Sequence, residues 1–136
     1  MPLNKVLLVD DETDIELLAK QKFRQQTSAG VFELLFSSNG QDALDLVKND
    51  PCIAVVVLDL NMPGMDGFTL LDKLKELNPT IKAIIVSAYS DMKTFRTAMN
   101  KGAFDFVTKP IDFNDLGDVI VRSLALYRTP LPPPRP

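Results

Sequence analysis

Histidine and tryptophan are absent from this chain of 136 residues, and cysteine occurs once, at Cys52. Without histidine the chain lacks the side chain most often used as a general base near neutral pH and as a transition-metal ligand. A single cysteine rules out an intrachain disulfide and fits a reducing compartment. Long apolar runs are missing too: the longest, Cys52 to Leu58, falls far short of the roughly 20 residues a membrane helix requires. Near the start, only Val6 to Val9 are apolar before two aspartates, too short a run for a signal-peptide core. A cytoplasmic protein with no membrane contact is therefore expected. Charge of one sign is also scarce. A net charge of −3 gives this domain no electrostatic reason to bind nucleic acid directly. With 46% hydrophobic and 24% charged residues, the chain has the composition of one globular domain able to bury its own core.

Short aliphatic runs mark four strands, at Lys5 to Val9, Phe32 to Phe36, Ile53 to Leu58 and Lys82 to Ser87, with a weaker fifth at Asp105 to Thr108. Uninterrupted apolar character, clearest in the third and fourth, is expected of parallel strands covered on both faces. Helical periodicity lies between them. Ile15, Leu18, Lys22 and Phe23 share one helix face; Ala43, Leu44 and Val47 share another; Phe68, Leu71 and Leu74 a third; Met92, Phe95 and Met99 a fourth. A last helix from about Asp112 to Tyr127 aligns Leu116, Val119, Ile120 and Leu124, with Asp112 or Asn114 as its N-cap. Five alternating βα units predict an α/β fold, with a parallel sheet, right-handed crossovers and helices on both faces. Ligands in such sheets bind beyond the carboxyl ends of the strands.

At those ends stand Asp10 and Asp11 after the first strand, Asp59 after the third, Ser87 after the fourth and Lys109 after the fifth. Three carboxylates gathered together repel unless a cation sits among them, and oxygen-only ligands favour a hard one. Mg2+ is the cofactor this set suits; with no histidine, Zn2+ is disfavoured. Plainer readings exist for each residue. The acidic stretch VDDETD would also serve as a helix N-cap, Asp59 as a turn residue, Ser87 as a cap for the helix near Asp91, and Lys109 as a solvated charge. Their joint placement at one end of the sheet favours a site.

The motifs VLLVDDE (residues 6 to 12), VVVLDLNMPGMDG (55 to 67), IIVSAY (84 to 89) and FVTKP (106 to 110) follow one another at a specific spacing. In these the chain resembles the receiver domains of two-component response regulators, from about Lys5 to Tyr127. The resemblance implies a flavodoxin-like, doubly wound (βα)5 fold with strand order 2-1-3-4-5. It also implies Asp59 as phosphoacceptor, Asp10, Asp11, Asp59 and the main-chain carbonyl of Asn61 as Mg2+ ligands, and Ser87 and Lys109 as contacts to the phosphoryl oxygens. Ser87 and Phe106 match the family's switch pair, although Phe106 lacks the hydroxyl of the tyrosine often found there. Asn61 and Tyr89 match the positions that tune hydrolysis. The implied partners are a sensor histidine kinase or phosphotransfer protein, and a second copy through the helix near Asp91 to Asn100, the strand at Asp105 to Thr108 and the helix beginning near Asp112.

Two alternatives compete. A haloacid-dehalogenase-like phosphatase or phosphotransferase also uses an aspartate after an apolar strand, a lysine and Mg2+, but needs a second aspartate two residues on for proton transfer. Asn61 stands at that position, which suits a lasting acyl phosphate and a regulatory domain with slow self-catalysed turnover better than an enzyme. A non-catalytic flavodoxin-like binding module leaves the charged cluster unexplained and lacks a glycine-rich phosphate loop. The receiver domain is expected over residues 1–128, followed over 129–136 by a proline-rich tail, TPLPPPRP, or a linker to an output domain.

Overall fold

In the computed structural model, residues 4–88 and 91–128 are described, the side chains of residues 127 and 128 excepted. Five strands form one all-parallel sheet: β1 (Lys5–Val9), β2 (Glu33–Ser37), β3 (Ile53–Asp59), β4 (Lys82–Ser87) and β5 (Asp105–Thr108). Their order is β2-β1-β3-β4-β5, so the chain winds outward from β1 in both directions and strand order reverses between β1 and β3. The order implied by the resemblance is the one observed. β2 begins and ends one residue later than the sequence pattern places it. Phe32 is nonetheless buried, immediately before the strand.

Period-two alternation divides the sheet's side chains between two cores. Leu7, Val9, Val56, Leu58, Ala83 and Ile85 face one side, under α3 (Gly40–Asn49), α4 (Gly67–Leu77) and α5 (Met92–Asn100). Val6, Leu8, Val55, Val57, Ile84 and Val86 face the other, under α1 (Thr13–Lys22) and α6 (Phe113–Arg128). All seven residues of β3 are buried, as a central parallel strand requires. The register against β1 slips between Lys5 and Val6, which places Ala54 and Val55 on the same side.

The first crossover departs from a single helix. α1 ends at Lys22, and a short α2 (Arg24–Ser28) follows Phe23, so six helices occur among the described residues instead of five. Phe23 is the reason: it is buried between Phe32 and Phe113, with ring centroids 5.8 Å away in both cases, and its backbone leaves the helical region there. The inward face of α1 is accordingly the half-buried Ile15 and the buried Ala19, continued by Phe23 just past the helix, while Leu18 and Lys22 face outward. In α5 only Ala98 is buried, and the stripe of Met92, Phe95 and Met99 is largely open to solvent. α6 starts where expected, with Asp112 Oδ1 accepting from the Asn114 and Asp115 N–H groups.

Candidate functional site

Asp10, Asp11, Asp59, Ser87 and Lys109 lie at or just beyond the carboxyl ends of their strands, and the parallel register brings four strand ends together; Asn61 lies in the loop after β3 and Phe106 within β5. Asp10 directly follows β1, Asp59 ends β3, Ser87 ends β4 and Lys109 follows β5. Backbone bonds fix their heights: Asp10 N–H donates to the Ser37 carbonyl (3.0 Å), Leu60 N–H to that of Val86 (2.9 Å) and Lys109 N–H to that of Ser87 (2.9 Å).

Asp59 is the centre. Its residue is only 2% exposed, its Oδ2 lies 2.9 Å from Lys109 Nζ, and its Oδ1 accepts the Asn61 N–H at 3.0 Å. Lys109 Nζ also approaches Asp10 Oδ2, at 3.9 Å. Carboxylate oxygens of Asp10, Asp11 and Asp59 lie within 4.8 Å of one another. Burial raises the Asp10 pKa; the Glu12 N–H bond and the Lys109 charge oppose it, and the Asp59 charge adds to it. For Lys109, burial works against the charge, yet the bond to Asp59 and the fields of Asp59, Asp10 and Glu12 outweigh it and raise its pKa. One ammonium thus stands against three carboxylates, a deficit of positive charge in a half-buried pocket. An all-oxygen cluster with that deficit fits a hard divalent cation, which fits Mg2+ by donor chemistry.

The plainer readings fare poorly for all but Asp59, whose Oδ1 does close a turn on the Asn61 N–H. Glu12 is the N-cap residue of α1 and makes no side-chain cap bond, while Asp10 Oδ1 accepts the Glu12 N–H at 2.9 Å, short of the helix. Ser87 is fully buried at the end of β4, and the cap of α5 is Asp91, which accepts the Thr94 N–H at 2.8 Å. Lys109 is not a solvated charge; its side chain keeps 21% exposure. Phe106 is half-buried on β5 and meets Phe95 of α5 edge-to-face, with centroids 5.8 Å apart. Tyr89 and the tail at 129–136 lie outside the described residues.

The loop from Asp59 to Gly67 holds what sequence reasoning understated. Gly64 turns it at φ +82°, the left-handed region that favours glycine. Gly67 starts α4 so close to β3 that a Cβ there would sit 2.7 Å from Leu60 Cα and 2.8 Å from the Asp59 carbonyl oxygen. Asp66 caps that helix through the Thr69 N–H at 2.9 Å, a role announced in sequence by the acid three residues before a threonine.

The sequence matches the family described as the response regulator receiver domain over residues 6–121. The chain belongs to that family. It is similar to sporulation initiation phosphotransferase F of Bacillus subtilis (strain 168), 32% identical over 90% of this chain and 94% of that protein. It is 34% identical to the regulatory protein AtoC of Escherichia coli (strain K12) over 91% of its own length, but spans only 26% of AtoC. A receiver domain protein (CheY-like) from Methanospirillum hungatei JF-1 has the same fold, at TM-score 0.82 and 27% identity, over 92% of this chain and 96% of that one. So has the beryllofluoride-activated receiver domain dimer of NtrC4, at TM-score 0.82 and 26% identity, over 91% and 98%. Receiver domains are the phosphoacceptor switches of two-component signalling. This one is accordingly a regulatory domain, not an enzyme that turns over a substrate, and it retains the family's acidic pocket at Asp10, Asp11 and Asp59.

Proposed function

We propose that Asp59 is the phosphoacceptor, and that Asp10, Asp11, Asp59 and the Asn61 carbonyl hold Mg2+ beside it. The observation that carries the reading is the buried bond between Asp59 and Lys109 inside a cluster of three carboxylates. Asp59 attacks the phosphorus of an external phosphohistidine; the new O–P bond forms as the P–N bond breaks, and the departing imidazole keeps the electron pair. The donor is external because this chain has no histidine. Lys109, held beside Asp59, transfers its contact to a phosphoryl oxygen, and the Ser87 hydroxyl donates to another. When bound, Mg2+ supplies the remaining positive charge against the phosphoryl oxygens.

Hydrolysis of the acyl phosphate is slow in this reading, because Asn61 orients water but accepts no proton from it. Tyr89 adds shielding. Phosphorylation is relayed through Ser87 and Phe106 to the face formed by α5, β5 and α6, where a second copy docks. Met92, Phe95 and Met99, exposed by 63%, 40% and 37%, support an interface there. The upstream partner is a cytoplasmic histidine kinase or phosphotransfer protein.

Intact-mass measurement after incubation with acetyl phosphate tests the chemistry. One phosphoryl group is expected in Mg2+ and none in excess EDTA. Equal incorporation in Asp59→Asn would refute the assignment.

A further inference from the structure

The two edges of the sheet differ. At one edge, β5 is only four residues long and the Phe106 N–H donates to the Asp105 carboxylate at 2.7 Å. At the other, β2 pairs with β1 alone. The Glu33 N–H points inward to the Asn4 carbonyl and the Ser37 carbonyl inward to Asp10 N–H, each at 3.0 Å. In a parallel ladder the main-chain groups of the alternate residues face the other way. Leu34 and Phe36 therefore present their N–H and C=O groups outward, on a strand whose sequence, ELLFS, carries none of the lysine or proline that commonly blunts an edge.

A groove flanks that edge on each face of the sheet, and the two grooves have opposite charge. On the side of Leu34 and Phe36, a groove of about 470 Å³ is rimmed by Lys20 and Arg24, with Lys20 Nζ 5.3 Å from the centre of the Phe36 ring. On the other side, a groove of about 460 Å³ is rimmed by Asp42 and Asp45. Among the described residues, no ion pair within 4.0 Å engages any of these four side chains.

We propose that the β2 edge is a docking site for an extended segment of a partner protein that adds as a sixth strand. That segment carries acidic and aliphatic side chains at one parity and basic ones at the other. Strand geometry dictates the pattern: successive side chains of an added strand fall into opposite grooves, so alternating charge satisfies both. A second copy of this chain fits badly. Antiparallel pairing of β2 with itself sets each groove against its own twin, lysine and arginine against lysine and arginine, aspartates against aspartates. The site is separate from the α5-β5-α6 face, at the opposite edge of the sheet. Its carboxyl end adjoins the acidic pocket, since Ser37 holds the Asp10 backbone.

The test uses a capped peptide of one-letter sequence EKVTEKV and the same residues reordered as EEVKKTV, which mixes charges on both faces. Each is titrated into the isotopically labelled domain at millimolar concentration. Binding of the alternating peptide is expected, with amide exchange slowed at Leu34 and Phe36 but not at Leu35, and the reordered peptide is expected to bind at least fivefold more weakly. Charge reversal at the surface positions Lys20→Glu and Arg24→Glu should weaken the alternating peptide by a similar factor while leaving phosphorylation intact. Equal binding of both peptides, no binding of either, or shifts centred on α5 and β5 would overturn the proposal. So would protection of Leu34 and Phe36 in the domain alone with concentration-dependent dimerisation, which would make the occupant a second copy.

Discussion

Replacing Lys109 by alanine measures the charge balance of the site before any phosphoryl group arrives. Asp59 is 2% exposed, and the ammonium lies 2.9 Å from one of its oxygens and 3.9 Å from a carboxylate oxygen of Asp10. In Lys109→Ala, Asp59 keeps the Asn61 N–H but faces Asp10 and Asp11 with no cation. Removing one partner of a buried ion pair costs about 3–5 kcal/mol, because the other charge stays buried and unpaired. Lys109 retains 21% side-chain exposure, so solvent screening places the loss at the lower end, about 3 kcal/mol. For a domain of this size each kcal/mol lowers the melting temperature by roughly 3–5 °C, which predicts a fall of about 10 °C. The assay is thermal unfolding followed by circular dichroism at pH 7 in EDTA. Asp59→Asn placed in the same background removes the orphaned charge and should recover most of the fall. A drop of less than about 2 °C in Lys109→Ala, or no recovery in the double variant, refutes the reasoning, since either means that water already screens Asp59.

Gly67→Ala forces a Cβ against the Leu60 Cα and the Asp59 carbonyl, backbone atoms that do not rotate away, so a loss of about 2–3 kcal/mol in urea unfolding is expected; an unchanged midpoint would show that α4 shifts freely. Asp10 has a folded-state pKa above its ordinary value, chiefly through burial, so the folded state holds its proton more tightly than the unfolded chain does. Metal-free stability should therefore fall as pH rises from the ordinary carboxylate range through that raised pKa, and stay lower above it. Asp10→Asn should flatten this fall; a rise over the same window that depends on Asp10 has the wrong sign. Beryllofluoride with Mg2+ should shift NMR resonances of Met99, Phe106 and α6 as well as the loops around Asp10, Asp59 and Lys109. Shifts confined to those loops would defeat the proposed route through Phe106.

Short uninterrupted runs of apolar residues made the strands legible, because a buried parallel strand admits little else; β3 and β4 are found at or within one residue of their expected bounds. The clustering of Asp10, Asp11, Asp59 and Lys109 was legible for a related reason. These residues sit at or just beyond strand ends, and placing the strands places them. What the pattern missed depends on tertiary contacts. Phe23 reads as one more apolar position on a helix, and only its neighbours Phe32 and Phe113, brought in from β2 and α6, make it a break. Met92, Phe95 and Met99 have helical spacing like any core stripe, yet the sheet beneath α5 takes only Ala98, and periodicity does not report how closely a helix approaches. Nothing in the local sequence around Gly67 reports its close approach to the Leu60 Cα and the Asp59 carbonyl, the two backbone atoms a Cβ would strike.

The connection between Asp59 and the α5-β5-α6 face is short. Lys109 and Ser87, the two groups proposed to contact a phosphoryl oxygen, are joined by the 2.9 Å bond from Lys109 N–H to the Ser87 carbonyl, so a pull on either moves both strand ends. β5 has only four residues, and Phe106 lies on it three residues before Lys109, in edge-to-face contact with Phe95 of α5. Magnitudes limit what that contact does. An aromatic pair is worth about 0.5–1.5 kcal/mol beyond its buried area, and Phe106 has no hydroxyl with which to add a hydrogen bond in either position. Reversing a population from 1:99 to 99:1 takes about 5.5 kcal/mol. In the proposed switch, Phe106 therefore sets the direction of the change, and most of the free energy would come from the bonds that Lys109 and Ser87 make to a phosphoryl group and from a partner docked on the exposed stripe of α5.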